Sequence, residues 1–387
     1  MSDWQVSSAE LTAQRRQRLR STLAASAADV LLLTAPENVL YATGYRSMGG
    51  NVFRTHQMAA VLTEDDCWLV APAADAAPAV DAGLPLDRVV PFGRFYFESA
   101  PRSEISDYAD RWQTLPHGVA EVARRLGPSV RWAADEVSSA AAAVLDDPAD
   151  GAEVVWAARR IKLAGEVERL RQAARLAETG IDVALAGAAA GVTETELAAS
   201  IAGVMVAGGA EPRFVVATTG PRTALADTFP TDRSWRPGEL ARFDVGCVLD
   251  GYWSDMARSA VLGEPSGLQA ERYRALLAGE QQQLQLAKPG VRAVELFDVA
   301  VATVQAHSIS PYRRQHCGHC IGASIYEPPI VAPGADGVLE PGMTLCLETP
   351  FYEVGWGGLM VEDTVHVTDA GIELLTSTDR GLRVVAG

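Results

Sequence analysis

Lysine is nearly missing from this chain. Of its 387 residues only Lys162 and Lys288 are lysines, and arginine supplies the rest of 33 basic side chains set against 49 acidic ones. The resulting formal charge of −16 repels phosphate backbones and anionic headgroups, so neither nucleic acid nor a membrane surface is an expected partner. No apolar run approaches the ~20 residues of a membrane span. The polar start MSDWQVSSAELTAQRRQRLR lacks the hydrophobic segment of a secretory signal, and cytoplasmic residence is the expectation. Cysteine is sparse: Cys67, Cys247, Cys317, Cys320 and Cys346 are odd in number and scattered, which suits free thiols better than a disulfide framework. Also missing are a Gly-x-Gly-x-x-Gly dinucleotide turn, a Walker loop, a Gly-x-Ser-x-Gly elbow and a His-Glu-x-x-His helix. There is no solenoid-scale repeat and no long low-complexity linker.

What remains is ordinary globular material, 48% hydrophobic and 21% charged, long enough for two domains at roughly 150 residues each. An arginine-rich amphipathic segment, LTAQRRQRLRSTLAAS, leads into the apolar run DVLLLTAP and predicts a helix followed by a buried strand. MAAVLTEDDCWLVAP predicts two strands around an acidic turn. The Ala-rich stretch 73–82 predicts a short helix weakened by Pro78. These elements alternate in α/β fashion over the first ~150 residues. Residues 153–178 then predict one amphipathic helix, with Val167, Leu170, Ala174 and Ala177 on its apolar face. The domain junction is placed near its start, giving domains 1–157 and 158–387. Beyond it, helical segments (TETELAASIAGVMVAGG, ERYRALLAGEQQQLQLA) frame a β-rich remainder, which predicts an α+β domain.

The chemistry concentrates in that second part. In ELARFDVGCVLDGYWSDMARSAVLG, two strand-like runs flank Asp250-Gly251, a dipeptide suited to a tight hairpin turn. With those residues as the turn, Gly246 lies opposite Asp255, and Asp244 shares that face because strand side chains alternate. Two like charges so close are costly to bury unless one is protonated or a cation sits between them. A second hairpin is predicted in MTLCLETPFYEVGWGGLMVEDTVHVT, with Gly355, Gly357 and Gly358 at its connection and Glu348 and Glu362 on its two strands. Between the hairpins, HCGHCIGASIYEPP offers His319 as a nitrogen donor. Four carboxylates and one imidazole make a hard, oxygen-rich set suited to two divalent ions such as Mn²⁺, Co²⁺, Fe²⁺ or Zn²⁺.

FDVGCVLDGYWSDMARS, GHCIGASIYEPP, LEPGMTLCLETP and LMVEDTVHVT, in that order, resemble the metal-site blocks of the pita-bread metallopeptidases of family M24, in the Xaa-Pro peptidase, prolidase and creatinase branch. RRIKLAGEVERLRQAA resembles that branch's inter-domain helix, and DVLLLTAPENVLYATGY its N-terminal domain. The resemblance covers nearly the whole chain. It implies a creatinase/aminopeptidase-type pita-bread catalytic domain preceded by a smaller α/β domain, and a homodimer. It implies Asp244 on one metal, Asp255 and Glu362 bridging, and His319 with Glu348 on the second. Manganese comes first among the ions. Glu348 is implied also as the general base toward a bridging water that attacks an Xaa-Pro C–N bond in a short peptide.

The chain departs from the branch where substrate would be handled. Asp227 stands where the branch usually carries a histidine, and Tyr326 where a second histidine precedes Glu-Pro-Pro. Met360 replaces an arginine, and Cys320 a glycine. Tyr326 retains an oxyanion donor, and Asp227 suits a cationic substrate group, so both join Glu348 as expected catalytic residues. These departures frame a rival expectation, the same fold and metals acting on a small zwitterion as a lyase or amidinohydrolase would. A non-catalytic binding module is the other rival. Cys317-Gly318-His319-Cys320 has the spacing of a dithiol redox motif, but its setting predicts Cys317 as a small apolar core residue. PFGRFYFES, with Arg54 and His56, is a candidate substrate wall, and His316 a candidate support for His319.

Overall fold

The computed structural model describes residues 4–97 and 113–387, in two compact units, Trp4–Arg159 and Arg160–Gly387. In the first unit, strands β1 (Val30–Leu33), β2 (Ala59–Leu62), β3 (Cys67–Pro72), β4 (Val89–Phe92), β5 (Trp132–Ala134) and β6 (Ala149–Asp150) form one sheet of order β4-β3-β2-β1-β5-β6. It is mixed: β1–β2 and β2–β3 are antiparallel, whereas β3–β4, β1–β5 and β5–β6 are parallel. Helices α1 (Ser8–Ala24), α2 (Pro36–Thr43), α3 (Gly49–Val52), α4 (Ala76–Asp81), α5 (Leu115–Leu126) and α6 (Ala152–Arg159) accompany it. The apolar run of β1 is buried on both faces. Leu31 and Leu33 join one core cluster, Val30 and Leu32 another, so the strand shows no polar alternation. In NVFRTHQ, the His56 ring meets Asp75 at 2.9 Å inside this unit. Of PFGRFYFES, Phe95 and Phe97 pack ring to ring, and Glu98 and Ser99 lie outside the described residues.

The helix predicted over 153–178 is two helices, α6 and α7 (Ala164–Ala186), parted at 160–163. The break turns Lys162 inward, where its ammonium meets the Glu327 carboxylate at 2.7 Å with both side chains buried. The Glu166 carboxylate then accepts from the Leu163 N–H and starts the new helix. Val167, Leu170, Ala174 and Ala177 are buried on α7 as their spacing requires. Helix α8 (Glu194–Ala207) opens with a Thr193/Glu196 capping box, and α9 (Gly267–Leu286) with a Ser266/Gln269 box; α10 is Ala293–His307.

The second unit's main sheet contains β7 (Glu211–Thr219), β8 (Leu240–Leu249), β9 (Tyr252–Trp253), β10 (Met256–Leu262), β11 (Gly318–Cys320), β12 (Glu327–Ile330), β13 (Thr344–Glu348), β16 (Glu362–Thr368), β17 (Gly371–Leu374) and β18 (Arg383–Val385), while β14 (Phe351–Glu353) and β15 (Gly357–Leu359) form a small separate pair. The path through the main sheet is β12-β11-β13-β16-β10-β8-β7. Asp250 and Gly251 take φ of 48° and 88°, the positive values of the predicted two-residue turn. The pairings on either side, Leu249 with Tyr252 and Ala257 with Asp244, keep one register, so Gly246 faces Asp255. A Cβ at Gly246 would collide with the Ser254 carbonyl and the Phe214 ring.

The second predicted hairpin is more elaborate than one turn. Glu348 pairs with Glu362 at the open end of β13–β16, and the chain between them leaves the main sheet as the β14–β15 pair, at the same register. The Gly358 backbone packs so tightly on the Thr223 carbonyl that a side chain has no room there. Period-two alternation on β13 and β16 then separates two environments. Leu345, Leu347 and Val365 join the core formed with α9 and α10, while Cys346, Glu348, Glu362 and Thr364 occupy the opposite face.

Candidate metal centre

Strands β13, β16 and β8 carry Glu348, Glu362 and Asp244, and Asp255 immediately precedes β10, which lies between β16 and β8. One oxygen from each of Asp244, Asp255 and Glu362 lies within 4.8 Å of the others. Glu362 and His319 are each 1% exposed, Glu348 5% and Asp255 6%. His319 enters from β11, paired with Cys346. Its Nδ1 donates to the Cys320 carbonyl at 3.0 Å, which orients the ring and leaves Nε2 facing the Asp255 carboxylate, 3.4 Å away.

The electrostatics of this cluster are those of negative charge lacking a counterion. Burial pushes Asp244 from 3.8 to about 7, with Asp255, Glu348 and Asp227 adding to the rise and Arg242 opposing it. Burial likewise raises Asp255, against its bond to His319. Glu362 is raised well above the carboxylate range by burial and by Asp255, Glu348 and Asp244, and neither of its oxygens has a hydrogen-bond partner. Glu348 is the exception: burial would raise it, but the His316 imidazole at 3.0 Å, with His319 and Arg314, holds it below its usual value. Buried carboxylates without partners are costly. Bound cations resolve the cost, and an oxygen-rich set with one imidazole fits hard or borderline divalent ions.

The cluster floors a cavity of about 790 Å³ that Asp227, Arg314, His316, Tyr326, Tyr352 and Met360 help to line. This is the size of a small-ligand site. The Tyr326 ring stacks on His319 with centroids 4.0 Å apart, and burial, reinforced by the nearby carboxylates, raises its phenol so that it stays protonated. Asp227 is exposed at the rim.

Three contributors escaped the sequence reading. Arg242, fully buried, donates to Asp244 at 3.0 Å, to Thr223 O at 3.0 Å, and to Leu225 O and Ala226 O at 2.6 Å each. It ties one floor carboxylate to the loop that carries Asp227. Its position two residues before Asp244 on the same strand face was the available signal. Cys346, rather than Cys317, is the thiol on the site face, its Sγ within 4.8 Å of donor atoms of His319 and Glu362. Cys317 and Cys320 sit in the apolar core, where burial pushes both thiols up to about 12, so a reactive dithiol is not formed there. Arg314 precedes β11 in an irregular segment that no periodicity marks.

Carboxylates and an imidazole converging beneath a substrate-sized cavity define a metal-dependent hydrolase. The chain belongs to metallopeptidase family M24: the family model matches residues 168–369, and that of the creatinase/prolidase N-terminal domain matches residues 15–162. Membership implies a divalent metal. The Xaa-Pro dipeptidase of Pyrococcus furiosus is 32% identical over 232 residues, covering 59% of this chain and 67% of the relative. Among solved structures, the prolidase from Pyrococcus furiosus superposes with a TM-score of 0.75 at 25% identity, covering 93% of this chain and 99% of that one. The X-Pro aminopeptidase from Thermotoga maritima MSB8 gives a TM-score of 0.80 at 22% identity, covering 96% and 99%. The second unit is thus a pita-bread catalytic domain and the first a creatinase/prolidase N-terminal domain. Among the described residues no helix is long and apolar enough to cross a membrane.

Proposed function

We propose that this protein is a prolidase-type hydrolase that cleaves Xaa-Pro dipeptides with two divalent ions, manganese first among them, held by Asp244, Asp255, His319, Glu348 and Glu362. The observation that carries the reading is Glu362, buried with both carboxylate oxygens unpartnered beside Asp244 and Asp255. Such ions supply Lewis-acid polarisation of the scissile carbonyl and acidify water. Glu348, held ionised against His316, takes the proton at a carboxylate oxygen and returns it to the leaving proline nitrogen. Tyr326 donates its phenolic hydrogen to the developing oxyanion. Asp227 faces the cationic end of the substrate.

A homodimer goes with this reading, and the five free thiols support a reducing, cytoplasmic compartment. A second reading, a small zwitterion as substrate, is favoured by Asp227, Tyr326 and Met360 around the cavity. Proline release from a panel of Xaa-Pro dipeptides by the manganese-loaded protein tests the first. Chelator-sensitive cleavage is expected, and silence across the panel in protein that holds metal would transfer support to the second.

A further inference from the structure

The cavity carries a charge pattern beyond its acidic floor. The floor runs in strand order from Glu348 on β13, through Glu362 and Asp255, to Asp244 on β8. Arg314 and Asp227 stand on its walls, at opposite ends: Arg314 acts on Glu348, lowering it, and Asp227 on Asp244, raising it. Both are uncommitted. The Arg314 guanidinium lies over the Tyr352 ring, 5.3 Å from its centroid. Its buried Nε lacks a hydrogen-bond partner, and no carboxylate pairs with it among the described residues. Among the described residues no hydrogen bond or ion pair engages the Asp227 carboxylate either. Arg242 also lies near the Tyr352 ring, 5.2 Å from its centroid, but its charge is consumed by Asp244 and three carbonyls. Met360 offers no charge where an arginine was expected. Arg213 also lines the cavity, but from β7 beside the Asp244 strand, where it pairs with Glu211 at 3.5 Å and lies over the Trp253 ring; Arg314 is the arginine that lines the cavity at the Glu348 end.

We propose that Arg314 and Asp227 form a charge clamp for a zwitterion, Arg314 holding the ligand's carboxylate as a planar two-pronged donor and Asp227 its ammonium, so that only ligands with both free termini are held across the floor. The proposal deepens the dipeptidase reading and rests on it for the choice of probes. It assigns carboxylate recognition to an irregular segment before β11, and so explains how the cavity works with methionine at 360. Longer peptides and blocked termini are rejected by unpaired charge rather than by lack of room, because a charged group that the ligand covers without pairing loses its hydration uncompensated.

Three probes separate the two ends: Ala-Pro, Ala-Pro amide and N-acetyl-Ala-Pro, each measured for KM and kcat and, independently, for equilibrium binding by calorimetry on the manganese-loaded protein. Arg314→Gln raises KM and Kd for Ala-Pro by about tenfold or more and leaves the already weak amide unchanged; Arg314→Lys restores part of the loss. Asp227→Asn does the same for Ala-Pro against the N-acetyl probe. A wild-type protein that treats all three probes alike, or an Arg314→Gln variant that loses affinity equally for acid and amide, overturns the clamp. If Ala-Pro binds with Arg314 dependence but is not cleaved, the clamp stands and the peptidase reading falls. If no probe binds the loaded protein, the clamp is refuted for dipeptides.

Discussion

Stripping the metal from this protein is expected to invert the pH dependence of its stability. Asp244 rises from 3.8 to about 7 in the folded, metal-free chain, so the folded state binds a proton more tightly than the unfolded one. Its stabilising contribution is full below pH 3.8 and is lost as pH rises through 7. A shift of about three units corresponds to about 4 kcal/mol in full; integrated, about 3 kcal/mol of it remains at pH 5 and almost none at pH 8. For a domain of this size that is about 5–10 °C in Tm. Asp255 and Glu362, also raised, act in the same direction, as does His319, which its Asp255 partner raises against burial. His366, lowered by burial, opposes them, so the comparison of wild type with Asp244→Asn isolates the site. With metal present the sign reverses, because protons compete with cations for the same oxygens and binding is worth about 2.7 kcal/mol at a hundredfold excess over Kd. Calorimetric melts from pH 5 to 8, chelated and with manganese, make the test. A chelated protein as stable at pH 8 as at pH 5, or the same slope in Asp244→Asn, would refute the reasoning.

Other substitutions probe the supports. Arg242→Met removes the cation from a buried pair and orphans three carbonyls, so denaturant unfolding should show a loss of about 3–5 kcal/mol. Lys162→Met leaves Glu327 buried without its ammonium and is expected to cost a similar 3–5 kcal/mol; Lys162→Met with Glu327→Met should recover much of it. Tyr326→Phe keeps the stack on His319 and loses only the donor, so kcat should fall about tenfold to a hundredfold at unchanged Tm.

The floor of the site was legible because β-structure converts spacing into direction. Asp250-Gly251 set the register, and the register placed Asp244 and Asp255 together. Alternation likewise put Glu348 and Glu362 on one face. Where the chain leaves regular periodicity the sequence says less. The 160–163 break depends on Lys162 finding Glu327 some 165 residues later, a tertiary contact that overrides the local helical pattern. The β14–β15 excursion depends on Gly358 meeting Thr223. Arg314 sits in a segment with no regular partner strand, so its approach to the cavity is decided by the fold alone. Cys317 lies in the core as its setting predicts: it precedes β11, which begins at Gly318, so strand alternation from His319 does not extend to it.

The most direct test is the metal content and position in crystals of the purified protein, read by anomalous scattering, for wild type and Glu362→Gln. The account predicts two ions among Asp244, Asp255, His319, Glu348 and Glu362 in the wild type and loss of at least one in the variant. Full occupancy in Glu362→Gln, or carboxylates directed apart with no ion between them, would contradict it.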